Sequence, residues 1–293
     1  MTQSSPMSDD PTGREAARSP SLLATAARGA FEWKFLLALD VAAAVEAWAR
    51  RELTPDPHGA GVGAAAGRYR VTTLHLDTAA LDLYHRTRGA GARKLRLRRY
   101  DDGQDLHVER KVRRGDQVSK QRAALAGGVA RLHAAPSLAA FFAAEADVAT
   151  AAAAGAFLRE FAAEVAGGGF VPSARATYLR TAFFAQNQDG AHRLTLDRAI
   201  RGELCPRPRV EPVADGTPLL ADSAILELKF VGAPPDRFKS LVSDYRLVPT
   251  GVSKYRRLLA TLLGPSGDAT GGDAGGGIGD ARGDDPVVRC ERQ

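Results

Sequence analysis

Between Phe31 and Leu36 the chain alternates apolar Phe31, Trp33 and Phe35 with charged Glu32 and Lys34, the period of a half-buried strand. Tyr69–Leu76, Arg93–Tyr100, Leu106–Arg114, Val118–Arg122, Phe170–Ala185, His192–Arg198 and Ala224–Val231 read as further strands. Asp101-Asp-Gly103, Gly115-Asp116 and Asp189-Gly190 are turn signals between them. Val41, Val45 and Trp48 fall at helical spacing in Val41–Arg51, with Asp40 placed to cap that helix. Asp77-Thr78 is placed to cap a short helix carrying Leu81 and Tyr84, and His58–Gly67 reads as a loop. Residues 136–166 predict two Ala-rich helices, and Pro235–Tyr245 and Ser253–Leu263 one each. About eight strands, mostly joined by hairpins, predict a largely antiparallel α+β fold.

Residues two apart on a strand share a face. Lys94, Arg96 and Arg98 therefore oppose Leu95 and Leu97, and His107, Glu109, Lys111 and Arg113 oppose Val108 and Val112. Arg193, Thr195 and Asp197 oppose Leu194 and Leu196, and Glu227 and Lys229 oppose Leu226 and Leu228. Such charged faces are solvent faces of an open sheet, or else they look at one another. The apolar stripes of the predicted helices favour the second arrangement. If those helices cover the Leu/Val faces, a closed eight-stranded antiparallel β-tunnel results, covered by helices outside and lined with Arg, Lys and Glu. A lumen of that kind is wet and needs compensating charge, and polyphosphate matches it. By the same parity, Arg99 and Arg110 lie outside.

Composition sharpens the picture. With 293 residues, 44% hydrophobic and 25% charged, the chain has the make-up of a globular protein and is not a disordered one. No run of eighteen uncharged apolar residues occurs, and the N-terminus lacks a basic stretch leading into an apolar one, so the expectation is a cytoplasmic protein without a membrane segment. Two cysteines, Cys205 and Cys290, argue against a disulfide framework. Residues 1–28 read as a disordered lead, 29–263 as one domain, and 264–293 as a flexible Gly/Asp-rich tail. The net charge is +6, yet residues 93–122 hold eleven Lys/Arg against five Asp/Glu. A basic core points to a polyanionic partner. Nucleic acid is disfavoured, because aromatic content is 6% and the basic strands lack interleaved aromatics to stack bases.

The ordered set Arg70-Val-Thr-Thr-Leu-His-Leu-Asp-Thr78, Lys94-Leu-Arg-Leu-Arg-Arg-Tyr100, Val108-Glu-Arg-Lys111, Val118-Ser-Lys-Gln-Arg122, Arg175-Ala-Thr-Tyr178, Arg193-Leu-Thr-Leu-Asp-Arg198, Ile225-Leu-Glu-Leu-Lys229 and Ser253-Lys-Tyr255 resembles the VTC domain. That is the polyphosphate polymerase domain of the triphosphate tunnel metalloenzyme (CYTH-like) superfamily. The resemblance spans about residues 31–260. It implies a basic tunnel, Mn2+ or Mg2+ as cofactor, and transfer of the ATP γ-phosphate onto polyphosphate. ATP or another triphosphate and inorganic polyphosphate are the implied partners. Related tunnel enzymes hydrolyse triphosphates instead, and a non-catalytic polyphosphate sensor is a further alternative. The Glu-x-Glu-x-Lys opening of the hydrolytic branch reads here only as Glu32-Trp-Lys34, which favours the polymerase branch. Neither an SPX domain nor membrane helices flank the tunnel segment, which reads as a stand-alone version.

Carried over residue by residue, the resemblance implies catalytic roles for Arg96, Arg98, Lys111 and Lys254. Lys34, Lys120, Arg122, Arg175 and Arg193 are the implied substrate-binding residues. Glu227 is the implied metal ligand, consistent with the oxygen donors a hard cation requires, and Glu109 is a second acidic candidate. His107 and His192 are expected at the surface, and His75 in a structural role.

Overall fold

The structure is a computed structural model that describes residues 30–59, 62–87, 93–114, 117–148, 152–187 and 190–264. The lead expected over 1–28, the turns at Gly115-Asp116 and at Asp189, and the tail beyond Gly264 lie outside the described residues. Ten strands form one sheet: β1 (Ala30–Ala38), β2 (Thr54–Pro55), β3 (Arg68–Asp77), β4 (Arg93–Tyr100), β5 (Leu106–Arg114), β6 (Gln117–Leu125), β7 (Val171–Asn187), β8 (Gly190–Leu204), β9 (Thr217–Leu219) and β10 (Ser223–Val231). The helices are α1 (Leu39–Glu52), α2 (Asp82–His85), α3 (Gly128–Ala134), α4 (Leu138–Val148), α5 (Ala152–Gly167), α6 (Asp236–Asp244) and α7 (Lys254–Leu263).

The strand order is β1-β10-β8-β7-β3-β4-β5-β6, with β2 added to β7 and β9 to β8. The strand pairings are antiparallel, as hairpin connections require. Two short strands raise the expected eight to ten. Among the described residues the end strands β1 and β6 are not paired with each other, so the expected closed eight-stranded ladder is replaced by an open path. The path curls, however: Lys111 of β5 comes within 3.7 Å of Glu32 of β1. The charged face is therefore the concave one.

Apolar packing on the other face produces that curl. α1 (Val45, Ala49) and α6 (Phe238, Leu241) bury themselves against Phe35, Leu194, Leu196, Leu226 and Leu228 of β1, β8 and β10. A second cluster joins Leu74, Leu95, Leu97 and Val108 to Leu132 of α3, Phe142 of α4, Phe161 of α5 and Leu258 of α7. Each fully buried Leu or Phe contributes roughly 1.5–3 kcal/mol, enough to fix which face of every strand is covered. Gly202 lets α7 approach β8, since a Cβ there would stand 2.4 Å from Leu258 Cδ1.

Local signals held with three changes. The Asp77 carboxylate serves the first turn of α2, its Oδ1 accepting from Leu83 N and its Oδ2 from Tyr84 N, although Leu81, expected on the helix, occupies the N-cap. Asp40 lies inside the first turn of α1 and makes no cap bond; Ala38 occupies the N-cap. α3 was not anticipated, being only seven residues long and opening on Gly128.

Candidate functional site

The concave face is built strand by strand. β1 contributes Glu32 and Lys34, β10 Glu227 and Lys229, and β8 Arg193, Thr195 and Asp197, with Lys34 opposite Glu227 and Glu227 opposite Thr195. β7 adds Tyr178 and Arg180, the latter opposite Asp197. β3 adds Tyr69, Thr73 and His75, aligned with Arg98 and Arg96 of β4. Lys94 and Tyr100 complete β4, His107, Glu109 and Lys111 belong to β5, and Lys120 and Arg122 to β6. Lys254 enters from the first turn of α7. Over the described residues, eleven Lys and Arg side chains share this face with four carboxylates, and Asp56 pairs with Arg193 at its edge, an excess of six basic groups.

The carboxylates organise the cations into two groups. Glu109, 1% exposed, accepts from Arg96 Nε at 2.7 Å and lies 3.4 Å from Arg98 Nη1 and 3.7 Å from Arg122 Nε. Burial raises its carboxyl, yet Arg96, Arg98, Lys120 and Arg122 hold it well below the usual range. Arg98 also donates to Thr73 Oγ1 at 3.2 Å, and the Arg122 guanidinium lies over the Tyr100 ring. Glu109, the second acidic candidate for a metal, thus sits among arginines. Both its oxygens are committed to guanidinium groups, and it sets the spacing of three arginines.

The second group surrounds Glu227. Lys229 Nζ lies 3.1 Å from it and 2.9 Å from Glu32, while Lys254 Nζ lies 3.5 Å from Glu227 and 2.6 Å from Asp197. Arg180 clasps Asp197 from the other side. Burial pushes the Glu227 carboxyl up, but Lys229, Lys254, Lys34 and Arg180 bring it well below its ordinary value. Burial likewise lowers Lys254, and Asp197 and Glu227 outweigh it, so Lys254 stays charged. Arg193 points to the edge of this group, donating to Asp56 Oδ2 at 2.6 Å and Tyr69 OH at 2.8 Å.

Arg175 is not on this face. It aligns with Leu74 on the apolar side of β3 and pairs with Glu203 and, at 2.9 Å, Glu211. Arg180, which sequence reasoning passed over, stands on the concave side instead. A register shift between Thr177 and Leu179 separates the two arginines in the β7–β8 ladder. The odd spacing from Arg175 to Arg180 was the available signal that the two cannot both face inward on a regular strand. Arg99 and Arg110 lie outside as parity predicts. Arg99 donates to Gly103 O and Asp102 O, and Arg110 reaches Glu160 and Glu164 of α5.

His75 and His107 are held neutral by their surroundings. Burial, reinforced by Arg96, Arg98 and Lys94, lowers His75 well below its ordinary value, and its ring stacks on Tyr255. Burial and Arg122 lower His107 to about 4, and the ring stands edge-on to Tyr100. His192, expected at the surface, is buried against Phe238.

A divalent cation fits here only in one manner. Among the described residues no three His, Cys, Asp or Glu side chains converge on a common point. Glu227 stands close enough to Glu32 to raise its carboxyl, and beside Glu227 the buried Thr195 hydroxyl has no hydrogen-bond partner among the described residues. One or two carboxylates completed by phosphate oxygens is the way Mg2+ is commonly held. The residues therefore suit a metal that arrives with a phosphate chain, rather than a preformed cage.

The VTC domain family model matches residues 30–263. No curated protein sequence matches the chain. The chain is similar to a solved structure from Hippeastrum, studied as an adenylyl cyclase and showing a dominant triphosphatase activity. Identity is 17%, covering 81% of this chain and 98% of that one, with a TM-score of 0.47. It is also similar to an adenylate cyclase candidate from Bacillus halodurans, at 13% identity, 78% and 98% coverage and a TM-score of 0.45. A third, from Vibrio parahaemolyticus, shows 12% identity, 79% and 98% coverage and a TM-score of 0.39.

Proposed function

The chain belongs to the VTC domain family, and on that premise we propose that its curled sheet encloses a tunnel in which the γ-phosphate of ATP passes to the end of a polyphosphate chain. The carrying observation is the excess of six basic groups over carboxylates on one concave face. A bound triphosphate neutralises only part of that surplus. A polymer with one negative charge per unit, threaded past both carboxylate-organised groups, meets the rest.

Phosphoryl transfer asks a protein for alignment and charge neutralisation more than for covalent chemistry. Arg96 and Arg98, spaced by Glu109, with Lys111 and Lys254, hold the transferred phosphoryl oxygens. Lys34, Lys120, Arg122, Arg193 and Arg180 bind the remaining phosphates. A terminal oxygen of the acceptor chain attacks the γ-phosphorus, the bond to the β,γ-bridging oxygen breaks, and ADP leaves. Glu227, with Glu32 and Thr195 beside it, would hold Mn2+ or Mg2+. Such a metal would supply positive charge to the phosphate oxygens. His75, its ring stacked on Tyr255, and His107, edge-on to Tyr100, take no nucleophilic role in this reading, and the transfer is direct and in line.

The experiment is incubation with ATP and Mn2+, following ADP, orthophosphate and gel-resolved polymer together. Metal-dependent polymer with ADP release, lost in Arg96→Ala and Glu227→Gln, is the expected result. Orthophosphate without polymer would place the chain among triphosphate hydrolases. Tight tripolyphosphate binding without turnover would make it a sensor.

A further inference from the structure

Lys254 stands at the first position of α7, where the helix macrodipole disfavours a cation. No acidic residue shares that first turn, and Ser253 makes no side-chain cap bond. By contrast α6 opens on Asp236. Helix stability therefore does not explain why this turn is held against the sheet with its lysine pointing at Asp197.

The neighbouring Tyr255 supplies the anchor. Its hydroxyl donates to Asp77 Oδ2 at 2.5 Å and lies 3.0 Å from Ser173 Oγ, and its ring stacks on His75 with centroids 4.9 Å apart. Asp77 is wholly buried and already fixed by the backbone amides of Thr78, Leu83 and Tyr84. Burial and Asp77 push the Tyr255 hydroxyl up, so it remains a donor. β3, β7 and α2 thus converge on one phenol, and the residue next to it carries the ammonium that lies 2.6 Å from Asp197 and 3.5 Å from Glu227.

We propose that Tyr255, latched by Asp77 and Ser173, is a positioning residue that sets where Lys254 meets the phosphate chain. This rests on the role given to Lys254 under the proposed function. Tyr255→Phe keeps the ring and removes only the latch. Without that hydroxyl Asp77 still accepts from the backbone amides of Thr78, Leu83 and Tyr84, so the variant is expected to fold.

The test is a double-mutant cycle on tripolyphosphate affinity by calorimetry, with thermal unfolding as the folding check. The expected result is that Tyr255→Phe weakens binding about fivefold in the wild-type background and less than about twofold in Lys254→Ala. A purely structural tyrosine would give the same loss in both backgrounds, and that outcome overturns the latch alone. If Lys254→Ala itself leaves affinity unchanged, the site assignment beneath the proposal falls, a result separable from the first. Should Tyr255→Phe fail to fold, Ser173→Ala carries the same cycle with the same two readings.

Discussion

Arg180 grips Asp197 with two prongs, Nε to Oδ1 at 2.6 Å and Nη2 to Oδ2 at 2.8 Å, and no part of Asp197 touches solvent. Lys254 completes the carboxylate's shell at 2.6 Å. Removing this one side chain leaves Arg180 without its carboxylate and Lys254 with Glu227 alone, in the buried wall of the site. Asp197→Ala is therefore expected to cost about 3–5 kcal/mol in urea denaturation. A loss below about 1 kcal/mol, the range of exposed pairs, would show that water reaches the site and stands in for the carboxylate.

Glu32 makes part of the fold's stability depend on acid. Burial raises its carboxyl, but Lys229, with Lys34 and Lys111, lowers it from 4.5 to about 2 despite opposition from Glu227. A carboxyl lowered on folding stabilises the native state above its unfolded value and loses that contribution as pH falls through the folded value. The wild type should thus exceed Glu32→Gln by on the order of 3 kcal/mol at pH 6, and the gap should close between pH 4.5 and pH 2. Paired chemical denaturation at pH 6 and pH 2.5 reads this directly. A gap unchanged between the two pH values would refute it.

Lys120 gives anion binding a pH dependence in the physiological range. Desolvation, followed by repulsion from Lys229, Arg96 and Arg98, brings its ammonium to about 7 although Glu109 opposes the change. The charged form is gained as pH falls, so tripolyphosphate affinity should strengthen from pH 8 to pH 6. Comparing wild type with Lys120→Met in calorimetry cancels the ligand's own protonation. The ratio of their affinities should grow by about tenfold across that range, and a constant ratio would show that Lys120 does not titrate there.

The two arginines of β7 separate the concave face from the outer one. Arg175→Ala breaks pairs with Glu203 and Glu211 away from the concave face and should change tripolyphosphate affinity by no more than about twofold. Arg180→Lys keeps the charge but loses the two-pronged clasp on Asp197, and should weaken the same affinity about tenfold. The reverse order of effects would invalidate the strand register used to assign the faces.

Much of this architecture was legible from residue spacing. The turn at Asp101–Gly103 marked the β4–β5 hairpin, and Leu95, Leu97, Val108, Leu226 and Leu228 marked the faces that α1, α6 and the α3–α5 group later cover. The concave placement of Arg96, Arg98, Lys111, Lys120, Arg122, Arg193 and Glu227 follows the same alternation. Arg175 was misplaced because a single period of two cannot say which parity of a long strand faces inward, and the β7–β8 ladder also changes register between the two arginines.

Alternation is a local property: consecutive side chains on a strand point to opposite sides whatever else the chain does. The sequence by itself therefore determined that these strands are two-faced, basic on one side and apolar on the other, and in what order they follow. Ion-pair partners are not local. Glu109 spacing three arginines, Asp197 shared by Arg180 and Lys254, and Glu32 reached by Lys111 from the far end of the sheet each depend on register and curl. Only the tertiary structure decided those, because register and curl arise from helices packing on the opposite face, between residues far apart in the chain.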